Sequence, residues 1–143
     1  MPHDSGAIDN AILDVLSGDA TLTALAPDGV FFEEARHGST CFICCSLEES
    51  VDDATFGPRR IESALYLVAI FSRAGAATAS DVHAAETRID VLLDDAVLTV
   101  PGYDVIHCFR EGRVRTTRRD PLDASVLWYL RGGRYRVAVA VPD

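Results

Sequence analysis

Four cysteines, Cys41, Cys44, Cys45 and Cys108, are by type the residues of this chain best suited to metal or redox chemistry. Cys41 and Cys44 have the Cys-x-x-Cys spacing of half a zinc site, but a structural zinc needs four converging ligands. The chain has no second Cys-x-x-Cys and no His-x-x-x-His pair. If residues 40–47 form a strand, Cys41 and Cys45 point to one side and Cys44 to the other, so the spaced pair would straddle a sheet. The expectation is four small buried thiols that pack a core, without disulfides in a reducing cytoplasm. His37, His83 and His107 have no acid–base partner at a characteristic spacing, and His107 reads as a packed or interface histidine. No Gly-x-Ser-x-Gly elbow, phosphate loop or dinucleotide fingerprint is present. The expected inventory is therefore no catalytic residue, no cofactor and no metal.

The charges carry more. All 13 basic residues are arginine, and the formal net charge is −9. Residues 110–136 hold eight arginines against Glu111, Asp120 and Asp123, a balance of +5, which leaves −14 on the remaining 116 residues. Such a split suits self-association, one subunit's basic face meeting the next one's acidic face. It also suits a nucleic-acid-binding module using the Arg110–Arg119 segment, although the overall charge opposes phosphate binding and that segment lacks stacking aromatics. The plain alternative is solvated strand faces with ion pairs worth about 0–1 kcal/mol each.

Periodicity supplies the scaffold on which these residues sit. Ser5 can cap a first helix with Ile8, Ile12, Val15 and Leu16 on one stripe, stopped by Gly18. Asp19 can cap a short second helix carrying Leu22 and Leu25, and Pro27-Asp28-Gly29 turns the chain. Strands are expected at Val30–Phe32, at Thr40–Leu47 and, most strongly, at Ile61–Ser72, with Glu48–Asp53 as an acidic loop or solvated strand end and a break at Gly57-Pro58. Thr78 or Ser80 opens another helix, with Val82, Ala85, Ile89 and Leu92 toward the sheet and Asp81, Glu86, Asp90 and Asp94 mostly away from it. Asp94-Asp95 sits where negative charge opposes the helix dipole. A strand then runs from Tyr103 toward Asp120, and a final strand pair, or one long kinked strand, spans Val126 to Val141, with Gly132-Gly133 as a turn or bulge. This order predicts an α+β fold: a mainly antiparallel sheet of four to six strands with two principal helices packed on it. At 143 residues the chain fits a single domain, 1–143. Its longest apolar run, Ala64–Phe71, is eight residues, far short of the ~20 that a membrane span needs. Its start, Met1-Pro2-His3-Asp4, resembles no export signal.

The order of segments resembles that of the tail-completion (tail-terminator) proteins of long-tailed phages and related prophage or gene-transfer particles. The likeness runs over roughly residues 7 to 141. It lies in Ala11–Leu16 followed by Leu22–Ala26 and Gly29-Val30-Phe31, then Phe42–Cys45, Phe56–Arg60 opening the long strand, Ala84–Ile89 with Leu92-Leu93-Asp94, and Tyr135–Val139. The resemblance implies a small subunit of a homo-oligomeric, typically hexameric, ring. Such a ring sits at the head-proximal end of the virion tail, caps the tail tube and docks the head–tail connector, with no catalytic residue. Arg113, Arg115, Arg118 and Arg119 are the expected contributors to the subunit or docking interface.

Overall fold

The structure, a computed structural model, describes residues 6–54 and 60–141, without the side chains of 52–54 and 60. Ser5 as a cap and the Gly57-Pro58 break lie outside the described residues. Helix α1 (Gly6–Ser17) stops where the Gly18 N–H donates to the Asp14 carbonyl, and a Cβ on Gly18 would sit 2.9 Å from that oxygen. The Asp19 carboxylate accepts the Leu22 N–H at 2.9 Å and starts α2 (Ala20–Leu25). Strands β1 (Val30–Phe32), β2 (Cys41–Ala54) and β3 (Arg60–Arg73) come next. Thr78 Oγ1 then accepts the Asp81 N–H and caps α3 (Ala79–Leu93). The chain finishes with β4 (Asp104–Arg119) and β5 (Leu127–Ala140). No helix among the described residues is long and apolar enough to cross a membrane.

The five strands form one sheet in the order β1-β2-β3-β5-β4. β1 runs parallel to β2 and every other pairing is antiparallel. The α+β expectation holds, with α1 and α3 as the two principal helices. β2 runs past Leu47 through a bulge to Ala54, so the acidic stretch is a paired strand end and not a loop. β5 is one unbroken strand, and Gly132-Gly133 is not a turn. Gly132 is demanded instead by close approach: a Cβ there would lie 2.1 Å from the Val68 carbonyl oxygen and 2.5 Å from Ala69 Cα.

The helices cover one face of the sheet. Ile8, Ile12 and Leu16 of α1, Leu22 of α2 and Val82, Ile89 and Leu93 of α3 join Ile43, Cys45, Tyr66, Val68, Ile70, Tyr135, Val137 and Val139 in one core. Side-chain alternation on β2 places Cys41 and Cys45 in that core and Cys44 on the opposite face, as the spacing predicted; all four thiols are buried. Burial pushes each thiol up, Cys108 to about 12, and the Cys108 thiol donates to the Leu93 carbonyl. Two tyrosines cross the greasy layer with their hydroxyls satisfied. Tyr66 donates to Asp9 on α1, and Tyr135 donates to Asp90 on α3 at 3.0 Å. Desolvation and these neighbouring carboxylates push both phenols well above their ordinary range.

Two expectations for α3 need correction. Its buried stripe is Val82, Ala85, Glu86, Ile89 and Leu93, with Leu92 only half-buried, and both Glu86 and Asp90 turn inward to partners on the sheet. The Asp94-Asp95 misfit also has a cause. Asp94 accepts the Arg110 N–H at 2.8 Å, and Asp95 takes a left-handed φ of 58° that lets the chain leave the helix.

Arg88 ties α3 to the start of α2: its Nε and Nη2 donate to the two Asp19 carboxylate oxygens at 2.8 and 2.6 Å. That bidentate bond, helped by the Leu22 N–H and opposed by desolvation, holds Asp19 at about 2, below its ordinary 3.8. A depressed carboxylate stabilises the fold fully above its unfolded value and loses that contribution as pH falls through its folded one. Asp19→Asn, which keeps the cap, is expected to show a shallower fall in urea stability between about pH 4 and pH 2 than wild type. Identical acid limbs would show that the pair contributes nothing. Separately, Gly132→Ala forces backbone apart and is expected to lower stability by about 1–3 kcal/mol or more. Gly112→Ala, with nothing within 4 Å of the added carbon, is the control and should change it by less than about 1 kcal/mol. Equal urea midpoints for the two variants would refute the close-approach account.

Candidate assembly site

β4 lies at a margin of the sheet, and its register against β5 slips twice, between Val105 and His107 and between Arg110 and Gly112. Each slip adds one residue and re-aims the side chains beyond it. After the second slip, Arg113 and Arg115 turn toward the helix layer and meet Glu86 of α3, whose side chain is 3% exposed. Arg113 Nη1 donates to Glu86 Oε1 at 2.5 Å, while Arg115 donates through Nη2 at 2.8 Å to the same oxygen and through Nε at 3.2 Å to Oε2. Burial by itself would raise the Glu86 carboxyl, but the hydrogen bonds and charges of the two guanidinium groups outweigh it and hold the group below its ordinary value. One buried carboxylate thus pins two arginines of a margin strand to the helix beneath them.

The four arginines expected at an interface do not form one cluster. Arg113 and Arg115 are engaged by Glu86. Arg118, in register with Trp128, points to the opposite face of the sheet, is exposed and has no ion-pair partner among the described residues. Arg119 donates to the Ala124 carbonyl at 2.7 Å and closes the β4–β5 turn. Arg110 pairs with Asp90 at 3.0 Å. Three of the five arginines in the Arg110–Arg119 segment therefore already face carboxylates of α3, which leaves few guanidinium groups for phosphates.

A cavity of about 390 Å³ opens between the start of α3 and strands β4 and β5, lined by His83, Glu86, Arg115, Tyr129 and Arg131 among others. Arg131 lies over the Tyr129 ring at 5.4 Å and donates through Nη1 to the Thr116 and Leu130 carbonyls. Arginine, aromatic and imidazole groups thus share the walls with the Glu86 carboxylate, and no group of three or more His, Cys, Asp or Glu among the described residues could hold a metal ion.

The sheet face away from the helices carries an aromatic row that the periodicity did not single out. Phe42 stacks on Phe71 at 5.3 Å with the rings 2° from parallel, and Phe31 and Trp128 meet Phe42 edge-on at 5.9 and 6.2 Å. Beyond it lies a charged lattice: Arg134 with Glu48 at 2.8 Å, and Arg136 with Glu111 at 2.8 Å and Glu49 at 3.4 Å. The signal for this row was the register, since antiparallel pairing alone makes Phe42 and Phe71 neighbours. The signal for Glu86 was its place four residues after Val82 and three before Ile89, on the same helix face.

No family model matches the chain, and no curated protein matches it. Solved structures do. One is a chain in the virion of a native gene transfer agent particle, 19% identical with a TM-score of 0.62 over 94% of this chain and 96% of that one. A second solved structure is 13% identical with a TM-score of 0.57 over 99% of this chain and 98% of its own. At these identities the likeness is one of fold, shared from end to end.

Removing the carboxylate that both arginines share breaks two ion pairs at once and leaves a gap at a buried position. Glu86→Ala is expected to cost about 1–3 kcal/mol in urea unfolding, and Arg115→Ala, which leaves the Arg113 pair intact, distinctly less. A Glu86→Ala variant as stable as wild type would show that the cluster does not fasten α3 to β4.

Proposed function

We propose that this chain is a structural subunit of a phage-like particle, a tail-completion protein that forms a ring on the head-proximal end of the tail tube and offers its outer surface to the head–tail connector. The observation that carries this reading is the end-to-end likeness to a chain of a gene transfer agent virion, which covers 94% of this chain and 96% of that one. It agrees with the order of segments in the sequence. It also agrees with a fold that spends its arginines and acids on lattices and margins.

A ring subunit needs two different surfaces that complement each other, because a head-to-tail contact repeats until it closes. It needs further surface for the tube and the connector. One layer of helices on one face of the sheet leaves the material for these: an aromatic and charged open face, the cavity beside α3 and the two sheet margins. Six copies is the ring size that the resemblance implies.

The test is direct. Tail tubes assembled without this chain, incubated with the purified protein and labelled with antibody against it, are expected to show label at one end of each tube by electron microscopy. Label distributed along the tubes, or none, would overturn the proposal. Tight and steeply salt-dependent capture of DNA on filters would favour the Arg110–Arg119 nucleic-acid module in its place.

A further inference from the structure

The sheet has two open margins, and they carry opposite charge. At one, β4 has β5 on one side and no strand on the other among the described residues, so this edge is open to a further strand. At the other, β1 covers only Ile43–Cys45 of β2, so from Ser46 to Ala54 β2 has β3 on one side and, among the described residues, no strand on the other. The β4 margin holds Arg110, Arg113, Arg115, Arg118 and Arg119 against Asp104 and Glu111. The β1–β2 margin holds Glu33, Glu34, Glu48 and Glu49, with no basic residue in 30–35 or 46–51.

Pairs within the subunit, Arg110 with Asp90 at one margin and Glu48 and Glu49 with Arg134 and Arg136 near the other, offset part of this contrast and leave the rest. Glu86 takes up one charge of the two on Arg113 and Arg115, while Arg118 and Arg119 have no carboxylate partner among the described residues. On the other side, Glu33 accepts the Leu47 N–H and so is held beside Glu48 at the point where β1 ends. Arg134 and Arg136 reach Glu48 and Glu49 from β5, across the open face and not from the margin.

Three edge-to-edge contacts between two copies are conceivable. β4 against β4 brings together two strands that each carry five arginines and two acids, and β2 against β2 brings together two acidic runs without a basic residue, so each symmetric contact is repulsive on balance. Only β4 against the β1–β2 margin is complementary. We propose that a second copy docks head to tail on this chain, the Arg118–Arg119 end of β4 in one copy lying against the Glu33–Glu34 and Glu48–Glu49 margin of the next. The same charges that forbid symmetric dimers thereby select a repeating contact, which closes into a ring when the rotation per subunit divides a circle. This inference rests on the ring reading and names the surfaces that build it.

The absence of lysine supplies a clean probe. Arg118→Lys keeps the charge and creates the chain's single side-chain amine. A carbodiimide, which joins an amine only to a carboxylate in direct contact, is applied to particles assembled on tail tubes from mixed light and heavy-isotope protein. Mass spectrometry is expected to find the new amine of one R118K copy joined to Glu33, Glu34, Glu48 or Glu49 of another. Links between copies to any other carboxylate, links within one copy only, or none in tubes that carry the protein would overturn the inference and leave the ring standing. Tubes that recruit no protein would overturn the ring reading itself, and this inference with it. As a second measurement, Arg118→Glu/Arg119→Glu and Glu34→Arg/Glu48→Arg are each expected to lose assembly at least tenfold alone and to recover it when mixed in equal amounts. No recovery from two folded variants would contradict the docking.

Discussion

A sheet that neither closes into a barrel nor continues into further strands must end in two rows of unpaired peptide groups, and helices on one side leave its other face in solvent. That geometry governs this molecule. Three helices cover one face of a five-stranded sheet, and everything they do not cover has to be managed by side chains. The management is visible at each place. The open face is capped by stacked aromatics and an Arg–Glu lattice, and the two margins carry charges of opposite sign.

The helix layer is held by polar contacts that only a closely packed interface permits. Tyr66 and Tyr135 pass through the core to reach Asp9 and Asp90, and Glu86 is sunk among apolar neighbours to receive Arg113 and Arg115. Breaking any of these leaves a desolvated group without its partner, so the contacts fix where the helices sit as well as adding stability. The fit is tight enough elsewhere that Gly132 has no room for a methyl group. A two-layer plate held in this way presents its margins in fixed positions.

Much of this was legible in the residues. Period-two alternation placed β3 and both of its faces, and the caps at Asp19 and Thr78 and the opposed directions of Cys44 and Cys45 came from local chemistry. What escaped was what pairing and packing decide. Gly132-Gly133 reads as a turn or a bulge from composition, and nothing local decides between them, because the contact with β3 that demands Gly132 is not local. The acidic run after Leu47 reads equally as a loop or a solvated strand end, and pairing with β3, not its own propensity, makes it the strand end. Glu86 reads as solvated because charged residues seldom sit in a core, and its two arginines lie 27 and 29 residues away. The charge split was visible along the chain, but its meaning was not: strand order alone puts the basic run and the acidic run at opposite margins.

On this account, copies of the chain meet through those margins. Amide hydrogen exchange, compared between the free protein and the protein assembled on tail tubes, reads the unpaired edge groups themselves. New protection is expected to be confined to the outer amides of β4 near Arg118 and of β2 beyond Ser46, with the outward surfaces of α1 and α3 unchanged. Protection that appears on those helix surfaces while both strand margins continue to exchange freely would contradict it.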